Sequence, residues 1–279
     1  MTRDQRVALP FVLPAVAAVA LVAIAPMAWT LWESMHLHDL RMPWLGQPFI
    51  GVANYAEAAA DPRFRDAALH TLWFVAASVT LELALGLIFA LAMSRAWRGR
   101  AAIRVVVLMS WAVPTVVAAL VWRFLFEGSG FPWFTHSLAA WVPIVMADAW
   151  KMTPFVALLL LAGLQAIDPA LYDAARIDGA GPWRQFREIT LPLLRPALLV
   201  AVLFRALDAF RVFDVIYVMT GGGPGTSTEP LALYTFNTLL QHLRFGYGSA
   251  LSVLIFVATF LMAVLYIRLA GRNLLEGPQ

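Results

Sequence analysis

The sequence predicts an all-α membrane protein with six transmembrane helices and both termini in the cytoplasm. Three observations lead there. Hydrophobic residues make up 61% of the chain and charged residues 13%, against about 45–50% and about 25% in soluble domains. The apolar residues are gathered into six long runs. The arginines fall unevenly on the two sides that those runs define.

A bilayer core of about 30 Å takes roughly 20 mostly apolar residues per helix. Six stretches satisfy this, at 9–31, 67–93, 103–126, 139–164, 197–218 and 248–270, and together they make residues 1–279 one transmembrane domain. The first follows Arg3 and Arg6 and leads into Trp29 and Trp32 instead of a small-residue cleavage site, so it is expected to be a retained span. The second carries a single acidic residue, Glu82. The fourth contains Asp148, Lys151, Pro143 and Pro154; the fifth contains Arg205, Asp208, Arg211 and Asp214.

Orientation follows from the arginines, because cytoplasmic loops are enriched in them. Arg3, Arg6, Arg95, Arg98, Arg100, Arg104, Arg176, Arg184, Arg187, Arg195, Arg268 and Arg272 share one side, and Arg41, Arg63, Arg65, Arg123 and Arg244 share the other. Twelve against five places the first side in the cytoplasm. Segment 165–196 is then the longest cytoplasmic loop, and 32–66 and 219–247 are external. No soluble insert is large enough to be a catalytic domain.

Composition removes several classes. The chain has no cysteine, which excludes disulfides, thiol catalysis and cysteine-based metal sites. Net charge is +3 and the basic residues flank spans instead of forming one patch, so no nucleic acid is expected. The five histidines, at 36, 38, 70, 136 and 242, are scattered in or near external segments and form no metal motif. An ion-coupled transporter would use midplane carboxylates without compensating arginines; here the charges alternate in sign.

The 165–196 loop reads as two short helices separated by glycine. Asp168-Pro169 is an N-cap followed by proline at the first helical position. Residues 170–178 continue the helix and Gly179 stops it. Pro182 opens a second helix through Trp183, Phe186 and Ile189, ending before Pro192.

A charge at mid-bilayer costs about 2.5–3.5 kcal/mol on insertion scales, so each needs a partner or a purpose. Arg205, Asp208, Arg211 and Asp214 recur every three residues, a spacing at which helical neighbours pair. Asp148 and Lys151 have the same spacing. Proline-interrupted spans line cavities, where freed carbonyls are solvated. Asp148, Trp150, Lys151, Thr153, Asp208, Arg211 and Tyr217 are therefore the expected polar pathway, supplying donors, acceptors and aromatic faces. Glu82 either bonds to a neighbouring helix or lines the cavity. Gly221-Gly222-Gly223-Pro224-Gly225 is an external turn without the strand and Lys-Ser/Thr of a phosphate loop.

The run Tyr172-Asp173-Ala174-Ala175-Arg176-Ile177-Asp178-Gly179-Ala180, with Phe186, Ile189, Leu191-Pro192 and Pro196, resembles the signature of ABC-importer permeases. Asp173 stands where that pattern has glutamate. Phe49 to Tyr55, Asp61 to Phe64, and Phe213 to Pro224 are similar to segments of the carbohydrate-uptake, maltose/trehalose permease-like branch. The resemblance implies that Tyr172, Asp173, Ala174, Ala175, Asp178, Gly179, Ala180, Phe186 and Pro192 form the segment that docks on an ATPase. It implies a binding-protein-dependent sugar importer of the bacterial inner membrane, with a second permease subunit, two ATPase subunits and a periplasmic or lipid-anchored sugar-binding protein. ATP and magnesium would sit on the ATPases, and this chain would bind no cofactor or metal and have no catalytic residue.

Overall fold

The computed structural model describes residues 12–14, 16–94 and 100–275. Arg3, Arg6, Arg95 and Arg98, used above for orientation, lie outside them, as do the first residues of the 9–31 run. The described residues are helical apart from turns and loops, with two isolated bridges, His36 to Phe49 and Asp39 to Arg244.

In chain order the helices are α1 Val12–Glu33, α2 Ala53–Ala60, α3 Pro62–Ser94, α4 Arg100–Ala112, α5 Thr115–Glu127 and α6 Trp141–Gln165. Then follow α7 Pro169–Ile177, α8 Pro182–Ala209, α9 Asp214–Met219, α10 Leu231–Phe236 and α11 Phe245–Leu275. Among the described residues, five segments are long and apolar enough to cross a bilayer: α1, α3, α6, α8 and Phe245–Leu269 of α11.

The third expected span, 103–126, is not one rod. It is the pair α4 and α5, bent by 103° at Val113-Pro114. Proline removes an amide donor and pushes its predecessor out of the helical region, and Pro114 takes an extended ψ of 139°. Hydropathy is blind to this because the apolar run continues across the bend.

The fifth span also differs from 197–218. Its helix begins at Pro182 and ends at Ala209; after a break at 210–213 the chain resumes as α9. The helix does not end before Pro192, as expected, but runs through it. A π-turn at Phe186–Thr190, closed by the Leu191 amide on the Phe186 carbonyl, widens the helix just ahead of the ring and relieves its clash.

Packing divides the chain into two compact units. One comprises residues 1–65 and 234–258. In it, Asn54 donates to the carbonyls of Ser34 (2.8 Å) and His36 (3.1 Å), and Arg244 pairs with Glu57 at 2.7 Å and Asp39 at 3.7 Å. Asp61 caps the start of α3 through the Arg63 amide at 2.9 Å and accepts hydrogen bonds from the Tyr234 and Tyr247 hydroxyls. None of the apolar window of α1 is buried within the chain, which leaves that surface for lipid or other helices.

The other unit comprises residues 66–233 and 259–279. Here α6 packs against α4, α5, α8 and α9, and 56% of its apolar window is buried. Ala90, Met93, Val156, Ala157, Leu160, Leu194 and Ala201 form the core. Small residues let the helices close in. A Cβ at Gly86 would lie 2.6 Å from Val156, and one at Gly163 would lie 2.5 Å from Ala197. The 221–225 turn is pinned by the Thr228 hydroxyl, which donates to the Gly223 carbonyl at 2.8 Å.

Candidate transport site and coupling helix

One guanidinium ties three helices together. Arg205, on the last turns of α8, donates its Nε and Nη2 to the two carboxylate oxygens of Glu82 on α3. Its Nη2 also reaches Asp148 on α6 at 3.1 Å, and its Nη1 donates to Asp208 one turn along α8. Arg205 and Glu82 are 1% and 0% exposed. Isolated, either charge would cost several kcal/mol to bury; the planar fork of arginine matches the carboxylate in a bidentate pair. The Ser78 hydroxyl lies within bonding distance of both Glu82 and Asp148, and its single proton serves one at a time.

Asp208 is 56% exposed and Asp148 13%. Both face a cleft of about 140 Å³ whose walls also carry Thr115, Lys151, Arg211 and Asp214. The two helix breaks make this cleft. The break after Ala209 brings Arg211 and Asp214 to it off the regular helix, and the break at Pro114 brings Thr115.

Lys151 has a second job. Its Nζ donates to the carbonyl of Val113 at 2.6 Å and of Trp111 at 3.4 Å, the carbonyls that the bent third span leaves without helical partners. It is therefore not the ion-pair partner of Asp148 that the i, i+3 spacing suggested. The alternating ladder of the fifth span survives only as Arg205 with Asp208, because Arg211 and Asp214 lie beyond the helix end and Arg211 Nε donates to the Leu207 carbonyl at 3.3 Å.

Of the seven expected pathway residues, the structure brings Asp148, Lys151, Asp208 and Arg211 together. Trp150 and Thr153 line a different, apolar cleft of about 530 Å³ with Trp122 and Met146. Tyr217 lines neither of these clefts itself but stacks on Phe213, which lines the first, with ring centres 5.2 Å apart. Glu82 and Ser78 were not among the expected residues. The signal for Glu82 was its isolation on the second span, where bonding to a neighbouring helix was one of its two expected roles.

The second feature is α7. Asp168 accepts a hydrogen bond from the Ala170 amide at 2.9 Å and Pro169 follows at the first helical position. The far end closes with the Ala180 amide on the Ala175 carbonyl (2.8 Å) and the Gly179 amide on the Arg176 carbonyl (3.1 Å), with Gly179 at φ +75°. This is a Schellman stop. No residue of α7 is buried. Asp173 pairs with Arg176 at 2.7 Å in the open, and the Tyr172 hydroxyl meets Thr190 at 3.0 Å on the start of α8. Phe186 stacks with Trp183. Ile177 and Trp183, 87% and 72% exposed, stand uncovered on this otherwise polar surface.

A doubly capped, exposed helix is thus joined to a bundle whose buried charges are paired. Residues 82–272 match the family model described as binding-protein-dependent transport system inner membrane component, and the chain belongs to that family as a multi-pass inner-membrane permease. It is 40% identical over 280 residues to the trehalose/maltose transport system permease protein of Thermococcus litoralis, covering 95% of this chain and 94% of that one. It is 38% identical over 278 residues to the trehalose transport system permease protein of Mycobacterium tuberculosis (96% and 90% covered). The sulfoquinovosyl glycerol transport system permease protein of Agrobacterium fabrum is 36% identical over 280 residues (95% and 91%). The fold is shared with a solved bacterial ABC transporter involved in the import of alginate, at a TM-score of 0.82, 20% identity and coverage of 97% and 96%.

Proposed function

We propose that this chain is one of two permease subunits of an ATP-driven importer that carries a disaccharide, trehalose or maltose, across the inner membrane. Both termini and α7 face the cytoplasm in this reading. Helix α7, with Tyr172, Asp173, Ala174, Ala175, Asp178, Gly179 and Ala180, docks on an ATPase subunit, supported from behind by Phe186 and by α8 through Pro192. The observation that carries the coupling role is the exposure of a doubly capped helix with no buried residue. The choice of sugar rests on the near-full-length relatives named for trehalose and maltose.

The energy comes from partners. ATP and magnesium bound by two ATPase subunits draw them together, displace α7 and shift the permease pair between inward- and outward-facing states, a population shift driven by contacts that differ between the states. A sugar-binding protein, periplasmic or lipid-anchored, delivers the substrate. The cleft of Asp148, Lys151, Asp208 and Arg211 lies on the sugar's path. Its paired carboxylates and cations offer hydroxyl groups both acceptors and donors. A glycoside bearing an anionic group is a second reading, favoured by the Agrobacterium relative and by Arg211 on the cleft wall.

The test is uptake of radiolabelled trehalose by cells lacking the subunit and by complemented cells, with unlabelled maltose and sulfoquinovosyl glycerol as competitors. Restored uptake that maltose competes for supports the disaccharide; competition by sulfoquinovosyl glycerol alone selects the second reading. No uptake at normal abundance of all subunits overturns the disaccharide assignment.

A further inference from the structure

The four nitrogen-borne contacts of Arg205 are divided evenly between a buried carboxylate and the cleft wall. Two go to Glu82, which touches no cleft and is 0% exposed; one each goes to Asp148 and Asp208, both on the cleft wall. Arg205 itself is 1% exposed and lines no cleft, so a sugar has no access to it. We propose that Arg205 is a positioning residue: it holds Asp148 and Asp208 at fixed places on the cleft wall, with Glu82 as its buried counter-ion. This rests on the reading that the cleft lies on the sugar's path.

The geometry explains why four charges are kept where three helices meet. Glu82 alone would neutralise Arg205. A simple pair would leave the two aspartates of α6 and α8 without a common tether. Two carboxylates facing one cleft also repel, and a shared cation offsets that repulsion and keeps both close. Ser78, between Glu82 and Asp148, fixes the rotamer of the outer carboxylate from behind. The cluster therefore sets the spacing between an acceptor on α6 and an acceptor on α8, which is the spacing that a sugar's hydroxyls meet.

The experiment uses the whole complex reconstituted in proteoliposomes with its binding protein, and reads trehalose moved per ATP hydrolysed. That ratio is insensitive to how much complex assembles. Arg205→Met alone would strand Glu82 in the bilayer, so the working variant is the double Glu82→Leu/Arg205→Met; apolar replacement of a whole buried pair is often neutral for stability. It is expected to assemble and hydrolyse ATP while the ratio falls about tenfold, the loss of one charge-assisted contact to the sugar. Glu82→Gln, which leaves Arg205 on both aspartates, is expected to stay within about twofold of the parent. Asp208→Asn is the reference for the cleft itself.

A double variant with the parental ratio, while Asp208→Asn lowers it, overturns the positioning role and leaves the cleft reading intact. Asp208→Asn with the parental ratio removes the cleft reading and the proposal with it. Failure of the double variant to assemble assigns Arg205 to folding and overturns the proposal too.

Discussion

Replacing Gly179 tests the coupling helix with very little collateral damage. The residue sits at φ +75° and an ideal Cβ there meets nothing within 4 Å, so a side chain adds no clash inside the chain. What it adds is backbone cost, about 1–2 kcal/mol for an L-residue in the left-handed region, and nearer the lower end for aspartate, whose side chain bonds locally. Because α7 buries nothing, no tertiary packing compensates. A cost of that size shifts the closed Schellman turn by a factor of about 5–30. Gly179→Ala is expected to lower trehalose uptake by an amount in that range. Gly179→Asp costs less in backbone but places a carboxylate on the docking face, and is expected to abolish uptake. Both variants should reach the membrane in normal amount and lose co-purification with the ATPase subunits in the same order. Normal uptake by Gly179→Asp at normal abundance would refute the coupling role. A larger loss with alanine than with aspartate would mean that only the turn, and not a docked partner, matters.

Three further outcomes follow from packing and charge. Lys151→Met leaves the part-buried Val113 carbonyl and the exposed Trp111 carbonyl without their cap; at about 0.5–1.5 kcal/mol for a lost hydrogen bond, the purified complex should melt at a lower temperature, and an unchanged Tm would show that the bend needs no cap. Gly163→Val puts an isopropyl group into Ala197 and Leu194, so α6 and α8 must separate at a cost of about 1–3 kcal/mol, read as lost thermal stability; parental stability would mean that the helices already have slack. At the α2–α3 junction, burial raises the pKa of Asp61, but the Tyr234 and Tyr247 hydroxyls and the Arg63 and Phe64 amides outweigh it and hold the carboxyl below its ordinary range. Burial and the Asp61 carboxylate push Tyr234 up to about 12. The contribution of Asp61 is thus present above about pH 4 and lost as pH falls through its lowered pKa, while that of Tyr234 is present below about pH 10 and lost between there and about 12. Hydrogen exchange of the 53–66 amides should be flat from about pH 5 to 9 once corrected for intrinsic rate, and Asp61→Asn should flatten the acid limb; an unaltered acid limb would refute the assignment.

The long helices were legible because hydropathy reports any uninterrupted apolar run, as in 67–93 and 139–164, which the structure realises as α3 and α6. The Asp168 cap, the Pro169 start and the Gly179 stop were legible because each is a local rule satisfied by residues a few positions apart. The breaks were not. Val113-Pro114 carried the warning, but the apolar run on either side masked it. At Ala209 nothing in the local composition announces a helix end, so the spacing of Arg205, Asp208, Arg211 and Asp214 was projected onto a helix that stops midway. The partner of Arg205 was out of reach for a different reason. Glu82 lies 123 residues away, and only packing decides which face of α3 meets α8.

ATP bound by partner subunits, and not an ion gradient, is the proposed energy source for transport through this chain. Proteoliposomes containing this chain, its second permease, two ATPase subunits and the sugar-loaded binding protein should accumulate trehalose only when ATP and magnesium are on the side that α7 faces, and a proton or sodium gradient should neither replace ATP nor add to it. Accumulation driven by an ion gradient without ATP, or by this chain without the ATPase subunits, would contradict it.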